Sequence, residues 1–130
     1  MQALWNFGAV FIGGGIGSVL RYGVGRAALG YVGPDYPAGT LVVNLLGCFL
    51  MGLLAGWLAH RDWGIGQSTK LLLATGVLGG FTTFSAFALD AVALWERGNT
   101  VSATIYILAS VIGSLAGLFS GLHLPRAAAS

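Results

Sequence analysis

The residues of this chain that could do chemistry are hydroxyls, an amide and aromatic rings that interrupt apolar stretches. The segment GGFTTFSAF, residues 79–87, combines two glycines, two threonines and a serine with three phenylalanines. Glycine and β-branched threonine are poor helix formers, and polar side chains at membrane depth are costly and mark functional sites. The other polar residues within apolar stretches include Thr40, Asn44, Thr75, Tyr106, Ser110 and Ser114.

These polar groups are hydrogen-bond donors rather than acids. Tyr106, Ser110 and Ser114 are spaced i, i+4, i+8, which places their hydroxyls on one helix face, and the Asn44 amide offers two N–H donors. No carboxylate lies inside these apolar stretches, and Asp90 stands at the edge of one. Proton-coupled cation transport usually needs an embedded carboxylate, so a donor-rich lining without one favours an anion.

The segment GGFTT is predicted to interrupt a membrane helix. Unwinding frees backbone carbonyls and amides, which protein, water or an ion must satisfy at membrane depth. Freed carbonyls are ligands for a hard monovalent cation, and two antiparallel copies crossing here could share one ion. Phe84 and Phe87 follow at i, i+3, and their positive ring edges can face a bare anion.

Each polar residue also has a purely structural interpretation, which the residue types alone leave open. Serine and threonine in membrane helices often bond the carbonyl four residues earlier. Asn44 could connect two helices by hydrogen bonding, and phenylalanines in a membrane helix often face lipid or pack in the core.

Composition indicates the elements that must position these groups. Of 130 residues, 56% are hydrophobic and only 8% are charged, with a mean hydropathy of +0.84, whereas a soluble domain carries about 25% charged residues. A membrane span needs about 20 apolar residues. We therefore predict an all-α integral membrane protein of one domain, with its third helix broken near the middle and spans at roughly 3–30, 38–60, 68–96 and 98–123.

Basic residues divide evenly between the two faces of this predicted bundle. One face receives Arg61, Lys70 and Arg126, and the other receives Arg21, Arg26 and Arg97. Because Lys and Arg in short loops set orientation, such a balance allows both orientations and hence an antiparallel homodimer. A fixed orientation set by other features is the alternative. No basic cluster indicates a nucleic-acid partner, so the expected surroundings are lipid.

Glycines recur at the spacing of close helix packing. The pairs are Gly13 with Gly17 and Gly52 with Gly56, and a run of three follows at Gly113, Gly117 and Gly121. Small residues four apart let membrane helices approach closely, so we interpret these faces as packing surfaces.

Three segments resemble the motifs of the Fluc/CrcB family of small fluoride channels, along the whole chain. They are GGGIGSVLRY (residues 13–22), GTLVVNLLGCFLMG (residues 39–52) and the most specific, GVLGGFTTFSAF (residues 76–87). The resemblance implies four-helix subunits that pair as antiparallel, dual-topology homodimers in the plasma membrane of a prokaryotic cell. It further implies passive fluoride export through two pores around a central structural sodium ion.

The resemblance also implies residue roles. Fluoride would meet the pore residues Asn44, Thr83, Phe84, Ser85, Phe87, Tyr106 and Ser110. The backbone carbonyls of Gly79 and Thr82 would hold the sodium ion, and Arg21 and Ser114 would be vestibule or structural residues. Two positions depart from the family pattern: Ala86 replaces a common threonine and Asp90 a common glutamate.

Two other functions remain as alternatives at this point. A small cation or multidrug transporter has a similar size, but it needs an embedded carboxylate, and the first two spans contain none. A non-conducting membrane assembly subunit would use the same polar residues only for helix contacts, and anion flux would separate it from a channel. His60 and His123 lie at span ends without a paired nucleophile, so we assign no catalytic residue and expect no enzyme.

Overall fold

The chain folds into four long apolar stretches of helix. The structure is a computed structural model that describes residues 1–60 and 64–129, and within these ranges it contains no β-strand. The four stretches Gln2–Val32, Ala38–His60, Gln67–Glu96 and Thr100–Ala128 are each long and apolar enough to cross a membrane. The prediction of an all-α protein with four membrane spans is therefore confirmed.

The third span is assembled from several pieces, whereas the other three spans are single helices. Its first half ends at Phe81 and its second half begins at Phe84. The helical elements in chain order are α1 (Gln2–Val32), α2 (Ala38–His60), α3 (Gln67–Lys70), a π-helical segment (Leu71–Leu78), α4 (Gly79–Phe81), α5 (Phe84–Glu96) and α6 (Thr100–Ala129).

Helix α1 packs in parallel against the first half of the third span through glycines. A Cβ atom added at Gly13 would meet the backbone of Leu72 and Gly76, and one added at Gly17 would meet the backbone of Val77. At the start of both helices, Ser68 Oγ donates to Asn6 Oδ1 at 2.8 Å. The predicted packing role of Gly13 and Gly17 is confirmed.

Helices α2 and α6 form a second parallel pair by the same means. Cβ atoms added at Gly52 and Gly56 would run into the α6 backbone at Leu118 and Leu122, and one added at Gly121 would run into the α2 backbone at Phe49. Contact at such short range is available only to residues without a side chain. The chain thus contains two tightly packed pairs of helices, and the first half of the third span belongs to one of them.

The predicted break in the third span is confirmed, but it is shorter than predicted. Gly79 is helical, with φ −65° and ψ −37°, and helix continues through Phe81. Only Thr82 (φ −84°, ψ 158°) and Thr83 (φ −155°, ψ 121°) are extended. The expectation of non-helical backbone from residue 79 is therefore wrong. The reason is that Thr82 N–H still donates to the Leu78 carbonyl at 3.1 Å, which keeps the helix intact up to that residue.

The side of the chain turned away from these contacts is apolar and exposed. Large side chains such as Phe7, Phe11 and Val19 project from the single chain, as in a protein surrounded by lipid. Of the basic residues used in the charge balance, Arg61 lies outside the described residues.

We expect Gly13→Ala to destabilise the protein by about 1–3 kcal/mol, because the added methyl group overpacks the contact with the third span. Gly15→Ala, two residues away in the same helix, is the matched control, since a Cβ atom there meets nothing within 4 Å. The measurement is the free energy of unfolding of each variant in detergent. Equal values for the two variants would contradict the assigned packing.

Candidate ion-binding site at the break in the third span

The break is held by one side chain from another helix. Thr83 N–H donates to Asn44 Oδ1 at 2.8 Å, and Asn44 Nδ2 donates to the Thr83 carbonyl at 2.9 Å. A primary amide has one acceptor oxygen and two N–H groups, so it can pair with an extended residue as a neighbouring strand would. Asn44 thereby satisfies both backbone groups of Thr83 at membrane depth.

Thr83 also begins the second half of the span. Its side-chain oxygen accepts from Ala86 N–H at 3.2 Å, which is the usual cap of a helix N-terminus. The same oxygen lies 3.3 Å from Ser85 Oγ. On the other side of the break, Thr82 Oγ1 donates to the Leu78 carbonyl at 3.0 Å. The two threonines therefore terminate the two half-helices.

These bonds divert the amides that would close a continuous helix. In an unbroken α-helix, Thr83 N–H would donate to the Gly79 carbonyl and Ala86 N–H to the Thr82 carbonyl. Here the first amide goes to Asn44 and the second to the Thr83 hydroxyl. The carbonyls of Gly79 and Thr82 consequently lose the donors that a continuous helix supplies.

A cavity of about 340 Å³ lies beside the break, between α2, α5 and α6. Its polar lining consists of an amide and hydroxyls, and its aromatic lining is Phe84 and Phe87. None of the described residues that line it carries a charge. The polar members are Asn44, Thr82, Thr83, Ser110 and Ser114.

Among the polar residues that line this cavity, Ser110 has a buried hydroxyl group with an unused hydrogen-bond donor. Its side chain is 5% exposed, and its Oγ atom is buried without a hydrogen-bond partner among the described residues. A buried hydroxyl left unpaired costs about 1–3 kcal/mol. A group that accepts a hydrogen bond inside the cavity would remove that cost.

The aromatic residues form a row that leads away from the cavity. The rings of Phe84 and Phe87 have centroids 5.3 Å apart, those of Phe87 and Tyr106 are 5.5 Å apart, and Tyr36 lies edge-on to Tyr106 at 5.8 Å. Tyr106 is fully buried, and its hydroxyl donates to Asp90 Oδ2 at 3.2 Å. It thus packs in the core behind Phe87, outside the lining of the cavity.

The structure brings most of the sequence-derived site residues together, with differences in position. Asn44, Thr83, Phe84, Phe87, Ser110 and Ser114 share the cavity, together with Thr82. Ser85 is exposed and lies close to Thr83. Gly79 is also exposed, and it directly follows the buried residue Leu78. Arg21 is half-buried on α1 and lies outside the cavity lining.

Sequence reasoning missed three contacts of this site. The first contact is the pair of hydrogen bonds between Asn44 and Thr83, which are 39 positions apart. The second is the hydrogen bond between Tyr106 on α6 and Asp90 on α5. The last of the three contacts is the helix cap, in which the Ala86 N–H donates to the Thr83 hydroxyl. Its only signal in the sequence is a threonine three residues before Ala86.

The sequence of the chain matches a family model and relatives that carry a name. Residues 8–122 match the model of the family described as CrcB-like protein, Camphor Resistance (CrcB). A relative from Rhizobium etli strain CIAT 652 is 55% identical over 120 residues, 92% of this chain and 95% of its own length. A relative from Paracoccus denitrificans is 53% identical over 121 residues, 93% of this chain and 94% of its own length. Both are named fluoride-specific ion channel FluC.

We expect Thr83→Val to lower the free energy of unfolding by about 1 kcal/mol, because valine cannot accept the Ala86 N–H. Thr83→Ser keeps the acceptor oxygen and serves as the matched control. Unfolding of both variants in detergent, followed by the fluorescence of the four tryptophans, measures the difference. A valine variant as stable as the serine variant would show that the cap contributes nothing.

Proposed function

The chain belongs to the CrcB-like protein family, and on that premise we propose that it is a channel that exports fluoride passively across the plasma membrane of a prokaryotic cell. The observation that carries the proposal is the buried Ser110 hydroxyl, unpartnered among the described residues and placed in an uncharged cavity with Phe84 and Phe87. The relatives named as fluoride-specific ion channels support it. A channel is not an enzyme, and no catalytic residue is assigned.

Fluoride suits the donors of this cavity. It is a small anion that holds water tightly, so strong, closely placed donors must replace that water for it to enter. The Ser110 hydroxyl and the second N–H of Asn44, which remains after the bond to Thr83, are two such donors. Chloride is larger and gains less from them.

The two phenylalanines supply attraction without a charge. Phenyl rings are positive at their edges, and the tilted pair Phe84 and Phe87 lies against the cavity. An arginine or lysine in their place would bind an anion too firmly to release it, whereas conduction requires weak binding at several positions. Thr83 and Ser85, whose hydroxyls lie within 3.3 Å of each other, would add donors along the same path, with Tyr106 behind Phe87.

An antiparallel homodimer would complete the site and give two pores, one from each cavity. Phe84 is 78% exposed in the single chain although it lines the cavity, so a second copy is needed to enclose it. Gly79 is also exposed, and a Cβ atom there would meet only the Ala74 carbonyl oxygen, at an ordinary 3.5 Å. Nothing described in the chain itself requires glycine at this position, whereas close approach by a second copy would.

A sodium ion at the centre of such a dimer fits the chemistry of the break. The Gly79 and Thr82 carbonyls have lost their helical donors, and carbonyl oxygens of unwound membrane helices coordinate Na⁺. The residues that would hold the ion are these two from each copy. When bound, it would supply positive charge that satisfies the freed carbonyls at membrane depth.

The cation-transporter alternative lacks an essential group in this structure. The described lining of the cavity contains no carboxylate. Asp90, on the third span, accepts a hydrogen bond from Tyr106 behind the cavity. Exchange of protons for a cation would need a carboxylate at the site itself.

We expect Phe84→Ile and Phe87→Ile to lose most of the fluoride flux while the protein remains dimeric, because isoleucine keeps the apolar character and removes the positive ring edge. Fluoride efflux from liposomes measures the effect, and size-exclusion chromatography measures assembly. Apolar swaps of similar volume usually cost under about 1.5 kcal/mol.

Phe11→Ile is the matched control for Phe84→Ile, since Phe11 is 83% exposed and lies on α1, away from the cavity. It is expected to conduct as the parent does. Parental flux in both Phe84→Ile and Phe87→Ile would make these rings packing residues and leave selectivity to the hydroxyl and amide donors.

Dual topology is tested by cysteine labelling in cells. In a Cys48→Ala background, Asp35→Cys places a thiol in the loop between α1 and α2, and Gly66→Cys places one before α3 at the opposite end of the bundle. Because both orientations are expected, each cysteine should react with an impermeant reagent from both faces of the membrane. Reaction of each from a single face would rule out the antiparallel dimer.

A further inference from the structure

Asn44 forms no hydrogen bond with the proposed sodium ligands, the carbonyls of Gly79 and Thr82, but its bonds to Thr83 affect both of them. We infer that Asn44 is the positioning residue of the cation site: its amide frees the Gly79 carbonyl and orients the Thr82 carbonyl. The inference rests on the sodium ion of the proposed function and assigns to Asn44 a role beyond that of a fluoride donor.

The Gly79 carbonyl is free because Asn44 takes its donor. Helical hydrogen bonding reaches Thr82 N–H, which donates to the Leu78 carbonyl. The next amide, Thr83 N–H, would extend the helix onto Gly79, but it lies 2.8 Å from Asn44 Oδ1 instead. Without that acceptor, the amide would be unsatisfied at membrane depth unless it returned to the Gly79 carbonyl.

The Thr82 carbonyl is oriented because it belongs to the same peptide unit as Thr83 N–H. A trans peptide is planar, and its C=O and N–H point in opposite directions. Fixing Thr83 N–H on Asn44 therefore turns the Thr82 oxygen away from α2. The bond between Asn44 Nδ2 and the Thr83 carbonyl fixes the following peptide unit, so neither plane rotates freely.

The same amide also borders the cavity of Phe84 and Ser110. One N–H of Asn44 is used on Thr83 and the other remains for the cavity. The acceptor oxygen of Asn44 thus serves the cation site, and its remaining donor serves the anion path. Substitutions that remove one function and keep the other can separate the two.

Three variants make this separation. Asn44→Leu removes acceptor and donors at similar volume. Asn44→Asp keeps an acceptor for Thr83 N–H and, when protonated, a donor for the Thr83 carbonyl, but has no second donor for fluoride. Ser110→Ala removes a cavity donor without touching Thr83 and is the matched control.

The experiment measures sodium binding apart from conduction. A ligand that binds the folded state raises its unfolding temperature with concentration, so thermal unfolding of the purified dimer is followed over a series of sodium concentrations. Choline replaces sodium to keep the ionic strength constant, and fluoride efflux from liposomes is measured in parallel. Asn44→Ala takes the place of Asn44→Leu if the leucine variant does not assemble.

We expect Asn44→Leu to raise the half-saturating sodium concentration at least tenfold. Asn44→Asp and Ser110→Ala should stay within about twofold of the parent, although both lose fluoride flux. The inference would be overturned if the half-saturating sodium concentration did not change in Asn44→Leu, or changed equally in Asn44→Leu and Ser110→Ala. Neither result would contradict the proposal of a fluoride channel. A parent whose unfolding does not respond to sodium would instead contradict the sodium ion of the proposed function.

Discussion

The two hydrogen bonds between the Asn44 amide and the backbone of Thr83 are the contact on which the site depends. Two extended residues in a membrane span leave polar backbone groups that lipid cannot satisfy. One side chain supplies an acceptor and a donor at 2.8 and 2.9 Å. Because it does so, the first half-helix can end at Phe81 and a new helix can begin at Phe84, with Thr83 capping the new helix. Phe84 and Phe87 then enter the cavity from the first turn of α5.

The glycine contacts fix the positions of the helices that carry this site along one another. Backbone-to-backbone packing of α1 on the first half of the third span, and of α2 on α6, leaves little freedom for either pair to slide. Asn44 on α2 and Ser110 on α6 belong to one pair, whereas Thr82 directly follows the half-helix that belongs to the other. The cavity therefore lies where the two pairs meet. Neither pair alone contains both the donors and the break.

Much of this could be predicted from the sequence, because it depends on local composition. The apolar stretches give four spans, the small residues of GGFTT locate the break, and the glycine pairs four apart give the packing faces. The length of the break could not be predicted, since it depends on which amide is the first to leave the helix. That is decided by Asn44, 39 residues earlier in the chain.

The position of Tyr106 is a second feature that could not be predicted from the sequence. Its spacing to Ser110 and Ser114 correctly predicts a shared helix face, but one face can border a cavity at one turn and the core at another. Packing between Tyr36 and Phe87 holds Tyr106 in the core, where its hydroxyl binds Asp90. The π-helical form of Leu71–Leu78 likewise has no signal in residue type, and it lies where the α1 glycines contact the span.

The most direct test of the account is the efflux of fluoride and of chloride from liposomes that hold the purified parental protein. The cavity is uncharged and offers a buried hydroxyl, an amide N–H and phenyl ring edges. These groups favour a small anion that binds hydrogen-bond donors strongly. The account predicts rapid fluoride efflux and chloride efflux close to that of protein-free liposomes. Equal rates for the two anions, or no fluoride efflux from liposomes that contain the folded protein, would contradict it.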